Sequence, residues 1–164
     1  MNNQKEKVFA YIDGANLHKG INDLGWQLDY RGFRLWLTEK YGVGRAYLFL
    51  GMVPKYKNLY TRLQEYGFTL VFKETTLDNE GKIKGNCDAD LVLRAVCDVY
   101  ENNCDKVIIV AGDGDYAGLV QFLIDRQKLK VILAPDFRKC SILLKRTSAK
   151  ITCLNELRGR LALK

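Results

Sequence analysis

Two aspartates lie close together in the heptapeptide AGDGDYA, which spans residues 111–117. Asp113 and Asp115 directly follow the apolar segment VIIV, which has the composition of a strand buried on both faces. A tight turn needs at most one Asp, and two carboxylates this close repel each other. The pattern therefore indicates a site that uses both charges, provided that other groups reach it and compensate them.

Two more aspartates occur where they can reach the same site. Asp13 directly follows the segment KVFAYI, which we predict to be a strand. Asp88 lies in the first turn of a predicted helix, three residues before Leu91 on its apolar stripe, so its side chain should point over the edge of the sheet. Asp90 is turned about 200° away on the same helix and is expected to pair with Arg94.

Four carboxylates near one point repel each other unless a cation compensates them. Hard divalent ions such as Mg²⁺ and Mn²⁺ prefer oxygen ligands, and such a centre supports the cleavage of phosphodiester bonds. The alternative is that Asp13 and Asp113 only cap turns or helix N-termini, which Asp does well. The residue types alone leave both interpretations open.

Alternating strands and helices must position these residues. We predict strands over residues 7–12, 44–51, 68–74, 106–112, 130–135 and 150–154. We predict helices over residues 30–42, 55–66, 87–103, 116–127 and 138–146, with a short closing helix. Strands joined by helices of this length imply right-handed crossovers and a central parallel sheet. Sites in such sheets form beyond the carboxyl ends of the strands, where the strand order reverses, so Asp13 and Asp113 meet if their strands are neighbours.

Length and composition are those of a globular chain. The 164 residues are expected to form a single domain over residues 1–164, with 48% hydrophobic and 27% charged residues. No apolar segment approaches the ~20 residues of a membrane span, and the first residues lack the apolar core of a secretory signal. The five cysteines are scattered without a C-x-x-C pair, which favours reduced thiols used for packing. We therefore expect a cytoplasmic protein with no membrane partner.

Positive charge is concentrated in the last quarter of the chain. The net charge is +7, and residues 125–164 contain 11 lysines and arginines against 3 acidic residues. Such a surface suits a polyanion, above all nucleic acid, although a solvated basic face would have the same composition. The candidates for backbone contacts, all on the predicted helix 138–146, are Arg138, Lys139, Lys145 and Arg146. Lys84 could neutralise a phosphate near Asp88 or be an ordinary loop lysine.

Three segments of the chain resemble the NYN domain, a PIN-like ribonuclease family that includes the LabA-like bacterial proteins. They are YIDGANL at 11–17, KGNCDADLVL at 84–93 and VIIVAGDGDYAGLV at 107–120. The resemblance runs in order over roughly residues 7–155. It implies a three-layer αβα sandwich with a central parallel sheet of PIN-like, Rossmann-like topology, and an acidic Mg²⁺- or Mn²⁺-dependent centre that acts on RNA.

The resemblance also assigns roles to residues. The acids of the family fall on Asp13, Asp88, Asp113 and Asp115, which makes these four both metal ligands and catalytic residues. The Asn of the first motif falls on Asn16, which is expected to bind a phosphate or position a ligand. The chain departs from the family pattern at Ala111, where Ser or Thr is common, and at Tyr116, the aromatic residue of the SGDxDF-type turn.

We expect from these residues a metal-dependent endoribonuclease acting on single-stranded RNA, with a homodimer left open. The alternative is a non-catalytic RNA-binding or regulatory module that keeps the PIN-like fold. The complete set of four acids favours the enzyme, because a binding module has no need of a repulsive cluster. His18 is the only histidine, so a mechanism with two histidines is excluded.

Overall fold

The computed structural model describes residues 3–84 and 87–164, without the side chains of residues 83 and 84. The strands are β1 (Val8–Asp13), β2 (Val43–Gly51), β3 (Phe68–Lys73), β4 (Thr76–Leu77), β5 (Ile83–Lys84), β6 (Lys106–Val110), β7 (Leu129–Ala134) and β8 (Ile151–Cys153). The helices are α1 (Gly14–Asp23), α2 (Tyr30–Tyr41), α3 (Lys57–Glu65), α4 (Asp88–Tyr100), α5 (Ala117–Asp125), α6 (Ile142–Lys145) and α7 (Arg158–Leu161). Short 3₁₀ helices span Pro54–Tyr56, Gly114–Tyr116 and Leu154–Leu157.

Six of the strands form one parallel sheet in the order β3-β2-β1-β6-β7-β8. The chain builds outward from β1 to β3, returns to place β6 beside β1, and then builds outward on the other side. The order therefore reverses between β1 and β6, where α/β sheets open a crevice. The two remaining strands, β4 and β5, pair as an antiparallel hairpin outside this sheet.

Helices cover both faces of the sheet. One face packs against α1, α2, α3 and α7, and the other against α4, α5 and α6. Strand β6 shows the alternation that this requires: Ile108 and Val110 enter the first core, while Val107 and Ile109 enter the second. The predicted fold class, an αβα sandwich around a central parallel sheet, is confirmed.

The ends of α2 show how local sequence sets the elements. Asp29 caps its N-terminus by accepting a hydrogen bond from the Gly32 amide at 3.1 Å. Gly42 ends it in the left-handed conformation, with φ of 69°, which glycine adopts without strain. The helix predicted over residues 30–42 therefore lies within one residue of the observed one.

The helix predicted over residues 138–146 is wrong in its extent. The structure has a loop through residue 141 and then the single turn of α6. Two side chains favour this division: Asp136 accepts from the Arg138 amide at 3.0 Å, and Ser141 accepts from the Leu143 amide at 3.2 Å as the cap of a new helix. Short polar side chains that bond nearby amides compete with a continuing helix.

None of the helices in the described part of the chain has the length and apolar character needed to cross a membrane. The five cysteines are unpaired thiols, and all but Cys97 are buried.

Candidate metal centre

The crevice between β1 and β6 holds the acidic residues. Asp13 is the last residue of β1, and Asp113 follows β6 after two residues. These strands pair directly, with Ile12 opposite Val110, so both aspartates lie at the same edge of the sheet. The chain separates them by about a hundred residues, and the parallel topology brings them together.

Three carboxylates face one another at this edge. Asp88, from the first turn of α4, and Asp113 and Asp115, from the turn after β6, each offer an oxygen, and these oxygens lie within 4.8 Å of one another. Asp113 also accepts a hydrogen bond from the Asp115 amide at 2.9 Å, as the cap of the 3₁₀ helix. The Asp113 carboxylate, with smaller contributions from burial and Asp88, raises the pKa of Asp115 above its ordinary value. The cluster therefore repels itself in the absence of a cation.

Asp13 lies beside this group and is only 7% exposed. Its Oδ1 caps α1 by accepting from the Asn16 amide at 3.0 Å, and its Oδ2 accepts from the Tyr116 hydroxyl at 2.9 Å. Burial raises its pKa, against the hydrogen bonds from Asn16 and Tyr116, which lower it. Asp13 therefore joins the three-carboxylate group through Tyr116.

Tyr116 connects the acids in a way that the sequence analysis missed. Its side chain is fully buried, and its hydroxyl oxygen lies 2.9 Å from Asp13 Oδ2 and 2.8 Å from Asp88 Oδ1. We noted this position only as the aromatic residue of the turn. The sequence offers only the general signal that a buried Tyr hydroxyl needs a polar partner, and it does not specify which residue that partner is.

Asn16 links the first motif to the turn after β6. Its Oδ1 accepts a hydrogen bond from the Gly112 amide at 2.9 Å. This contact ties α1 to the segment that carries Asp113. It also turns the Asn16 side chain toward a cleft of about 180 Å³ between α1 and the loop after β7, which Lys139 also lines.

The basic residues predicted to contact the RNA backbone differ in their surroundings. Lys139 lines that cleft and pairs with Asp23 at 3.3 Å, and Lys145 lies 4.4 Å from the centre of the Phe137 ring. Arg138 and Arg146 are exposed and form no ion pair within the described residues. The loop before α6 reaches the acidic edge, because the Ser141 amide donates to the Gly112 carbonyl at 2.9 Å. The Lys84 side chain lies outside the described residues.

Asp90 lies near the centre on α4 but contacts a lysine instead of the other acids. Asp90 lies 4.0 Å from Lys73, so the predicted pairing with Arg94 is wrong. Arg94 instead contacts Asp98 at 3.3 Å.

Burial, with Asp13 and Asp90 nearby, raises the pKa of the Cys87 thiol to about 11, which keeps it protonated and excludes it as a nucleophile at neutral pH.

Comparison with known proteins gives a family and a fold. The family model described as NYN domain matches residues 7–154. The crystal structure of a protein of unknown function from Vibrio parahaemolyticus is similar, with a TM-score of 0.82, 23% sequence identity and coverage of 99% of each chain. This likeness shows a shared fold. No curated protein matches the chain.

Proposed function

Because the chain belongs to the NYN domain family of PIN-like nucleases, we propose that it is a metal-dependent endoribonuclease that cleaves single-stranded RNA. The observation that carries the proposal is the approach of the Asp88, Asp113 and Asp115 carboxylates within 4.8 Å of one another. A fold alone would not require such a repulsive arrangement. We also propose that residues 1–164 act as one domain.

The donor set fits Mg²⁺ or Mn²⁺. It consists of carboxylate oxygens without a thiolate or imidazole, which is the ligand chemistry that these hard cations prefer. Asp88 and Asp113 are half-buried, whereas Asp115 is exposed, so the group opens toward solvent on one side. We assign these three residues as ligands and Asp13 as the buried acid that completes the set.

A divalent cation held there would activate water and neutralise charge on the scissile phosphate. The side chains around the cation would hold the RNA in position for this reaction. Asn16 fixes the turn after β6 through its bond to Gly112, and we assign its amide nitrogen as a donor to a phosphate oxygen. Lys139 lines the same cleft beside Asp23 and Asp136, and we assign Lys139 as a contact to the RNA backbone there.

The test is cleavage of a labelled circular single-stranded RNA in Mn²⁺ or in EDTA, since a circle has no ends and reports only internal cuts. We expect the wild type to open the circle in Mn²⁺ and not in EDTA. Asp88→Asn should lose this activity, because an amide keeps the shape but not the charge that holds the cation. The matched control is Asp90→Asn, in the same helical turn but paired with Lys73, which should cleave like the wild type.

Intact circles in both conditions would contradict the proposal. If the wild type bound the RNA tightly without cutting it, the alternative of an RNA-binding module would be favoured.

A further inference from the structure

The Tyr116 hydroxyl joins three separate segments of the chain. Tyr116 closes the turn that carries Asp113 and Asp115, Asp13 ends β1, and Asp88 begins α4. The hydroxyl oxygen lies 2.9 Å from Asp13 Oδ2 and 2.8 Å from Asp88 Oδ1. Both distances are those of good O–H···O hydrogen bonds.

The chemistry of a phenol explains what this contact does. The Tyr116 phenol carries a single proton and lies between the Asp13 and Asp88 carboxyl groups. The hydroxyl donates this proton to one carboxyl group at a time, and either Asp13 or Asp88 can accept the hydrogen bond. Without the hydroxyl, the buried Asp13 and the half-buried Asp88 would lose the donor that lies between them, and their mutual repulsion would push them apart.

The position of Asp88 depends most on the Tyr116 hydroxyl. Asp113 and Asp115 lie two residues apart in one turn, and the Asp115 amide bonds the Asp113 carboxylate, so their relative position is set locally. Asp88 comes from α4, and its place in the three-carboxylate group depends on how α4 packs. The Tyr116 hydroxyl fixes Asp88 directly to the turn that carries the other two acids.

We propose that Tyr116 is a positioning residue, whose hydroxyl holds Asp13 and Asp88 so that Asp88 faces Asp113 and Asp115 before a cation arrives. The inference rests on the proposed metal-dependent function. It gives a role to Tyr116, one of the two positions in the turn at which this chain departs from the SGDxDF pattern.

The first test compares two Tyr→Phe variants by Mn²⁺ titration calorimetry. Tyr116→Phe keeps the buried ring, and its Mn²⁺ affinity should fall about tenfold, equivalent to about 1.4 kcal/mol. Tyr11→Phe is the matched control, because Tyr11 is also fully buried and its hydroxyl donates to Asp98 at 2.6 Å, outside the acidic centre. It should lower the thermal midpoint in EDTA while leaving the Mn²⁺ affinity unchanged, because Arg94 still joins α4 to β2 through the Tyr47 hydroxyl.

A second readout uses the wild type, so it does not depend on how well a variant folds. In protein labelled with ¹³Cζ-tyrosine, saturating Mg²⁺ should shift the Tyr116 signal, which senses the hydrogen bonds of its hydroxyl, and leave the Tyr11 signal in place. An unmoved Tyr116 signal, or equal or tighter Mn²⁺ binding by Tyr116→Phe, would overturn the inference. If the wild type bound neither ion, the proposed metal dependence would fail instead.

Discussion

Asp13 and Asp113 each serve two purposes with one carboxylate. Each caps the helix that follows it, Asp13 through the Asn16 amide and Asp113 through the Asp115 amide. The caps that the alternative interpretation predicted are therefore present at both residues, and both residues also lie at the acidic edge. A carboxylate has two oxygens, so a cap does not exhaust its capacity to accept.

Because the Asp113 carboxylate both caps the turn and belongs to the three-carboxylate group, Asp113→Asn should change activity without lowering stability. The Asn oxygen can still accept from the Asp115 amide, and removal of the charge relieves the repulsion that raises the pKa of Asp115. The thermal midpoint in EDTA should therefore stay constant or rise, while RNA cleavage in Mn²⁺ should be lost.

Asp113→Ala provides the comparison for that experiment. It loses the cap as well as the charge and should be destabilised by about 1 kcal/mol. Cleavage retained by Asp113→Asn would show that the residue only forms the turn.

At the scale of the elements, a buried polar network fixes α4 to the sheet. Asp98, in the last turns of α4, is 3% exposed and accepts from the Tyr11 hydroxyl at 2.6 Å and from Asn103 Nδ2 at 3.0 Å. Arg94 adds a contact to Asp98 at 3.3 Å and donates to the Tyr47 hydroxyl at 2.9 Å. These bonds anchor one end of the helix, and Asp88 lies at the other.

Loss of this anchor should cost stability. Asp98→Ala leaves the Tyr11 hydroxyl and Asn103 amide without their buried acceptor, and we expect a decrease of about 3 kcal/mol in the free energy of unfolding. Asp90→Ala, on the same helix but with only a 4.0 Å contact to a lysine, should change it by less than about 0.5 kcal/mol. Urea unfolding of the two variants in EDTA measures both values; similar losses would show that the network does not anchor α4.

The elements also show what the sequence could and could not predict. All six strands of the parallel sheet were predicted, because segments such as VIIV are apolar enough to be buried on both faces. Helix α1 was not, since GANLHKGIND contains two glycines and buries only Leu17 and Ile21 besides Gly14. Side-chain contacts between distant segments, such as Tyr116 with Asp13, depend on packing that no local pattern encodes. The edge at which the acids meet could be predicted, but its connecting hydroxyl could not.

At the scale of the whole molecule, the cleft beside α1 lies between the basic last quarter of the chain and the acidic edge. Lys139 of the last quarter lines it, and so does Asn16, which bonds the Gly112 amide next to Asp113. Lys139 and Lys19 both pair with Asp23 there, at 3.3 and 2.7 Å. Asp23 thus partly neutralises the two lysines that line the proposed RNA path. Arg138 and Arg146 are exposed and carry no such pairing in the described structure.

RNA affinity should respond in opposite directions to two changes in this charge. Replacement of Arg138, Lys139, Lys145 and Arg146 by Ala should weaken binding of many RNA sequences about equally and flatten its salt dependence, because fewer counterions are released. Asp23→Asn should strengthen binding by freeing Lys19 and Lys139. Fluorescence anisotropy with labelled RNA in EDTA, at several salt concentrations, measures both without cleavage; unchanged affinity in both variants would place the RNA on another surface.

The pairing of β1 with β6 has a consequence for the protein during its synthesis. Strand β1, which ends in Asp13, and strand β6, which Asp113 follows, are neighbours in space but are separated along the chain by β2, β3 and α4 among other elements. A nascent chain can form β1, β2 and their helices early, yet the acidic centre cannot assemble before Asp113 and Tyr116 have left the ribosome. An unfinished polypeptide, held next to the messenger RNA that encodes it, therefore lacks half of the residues proposed to cut RNA.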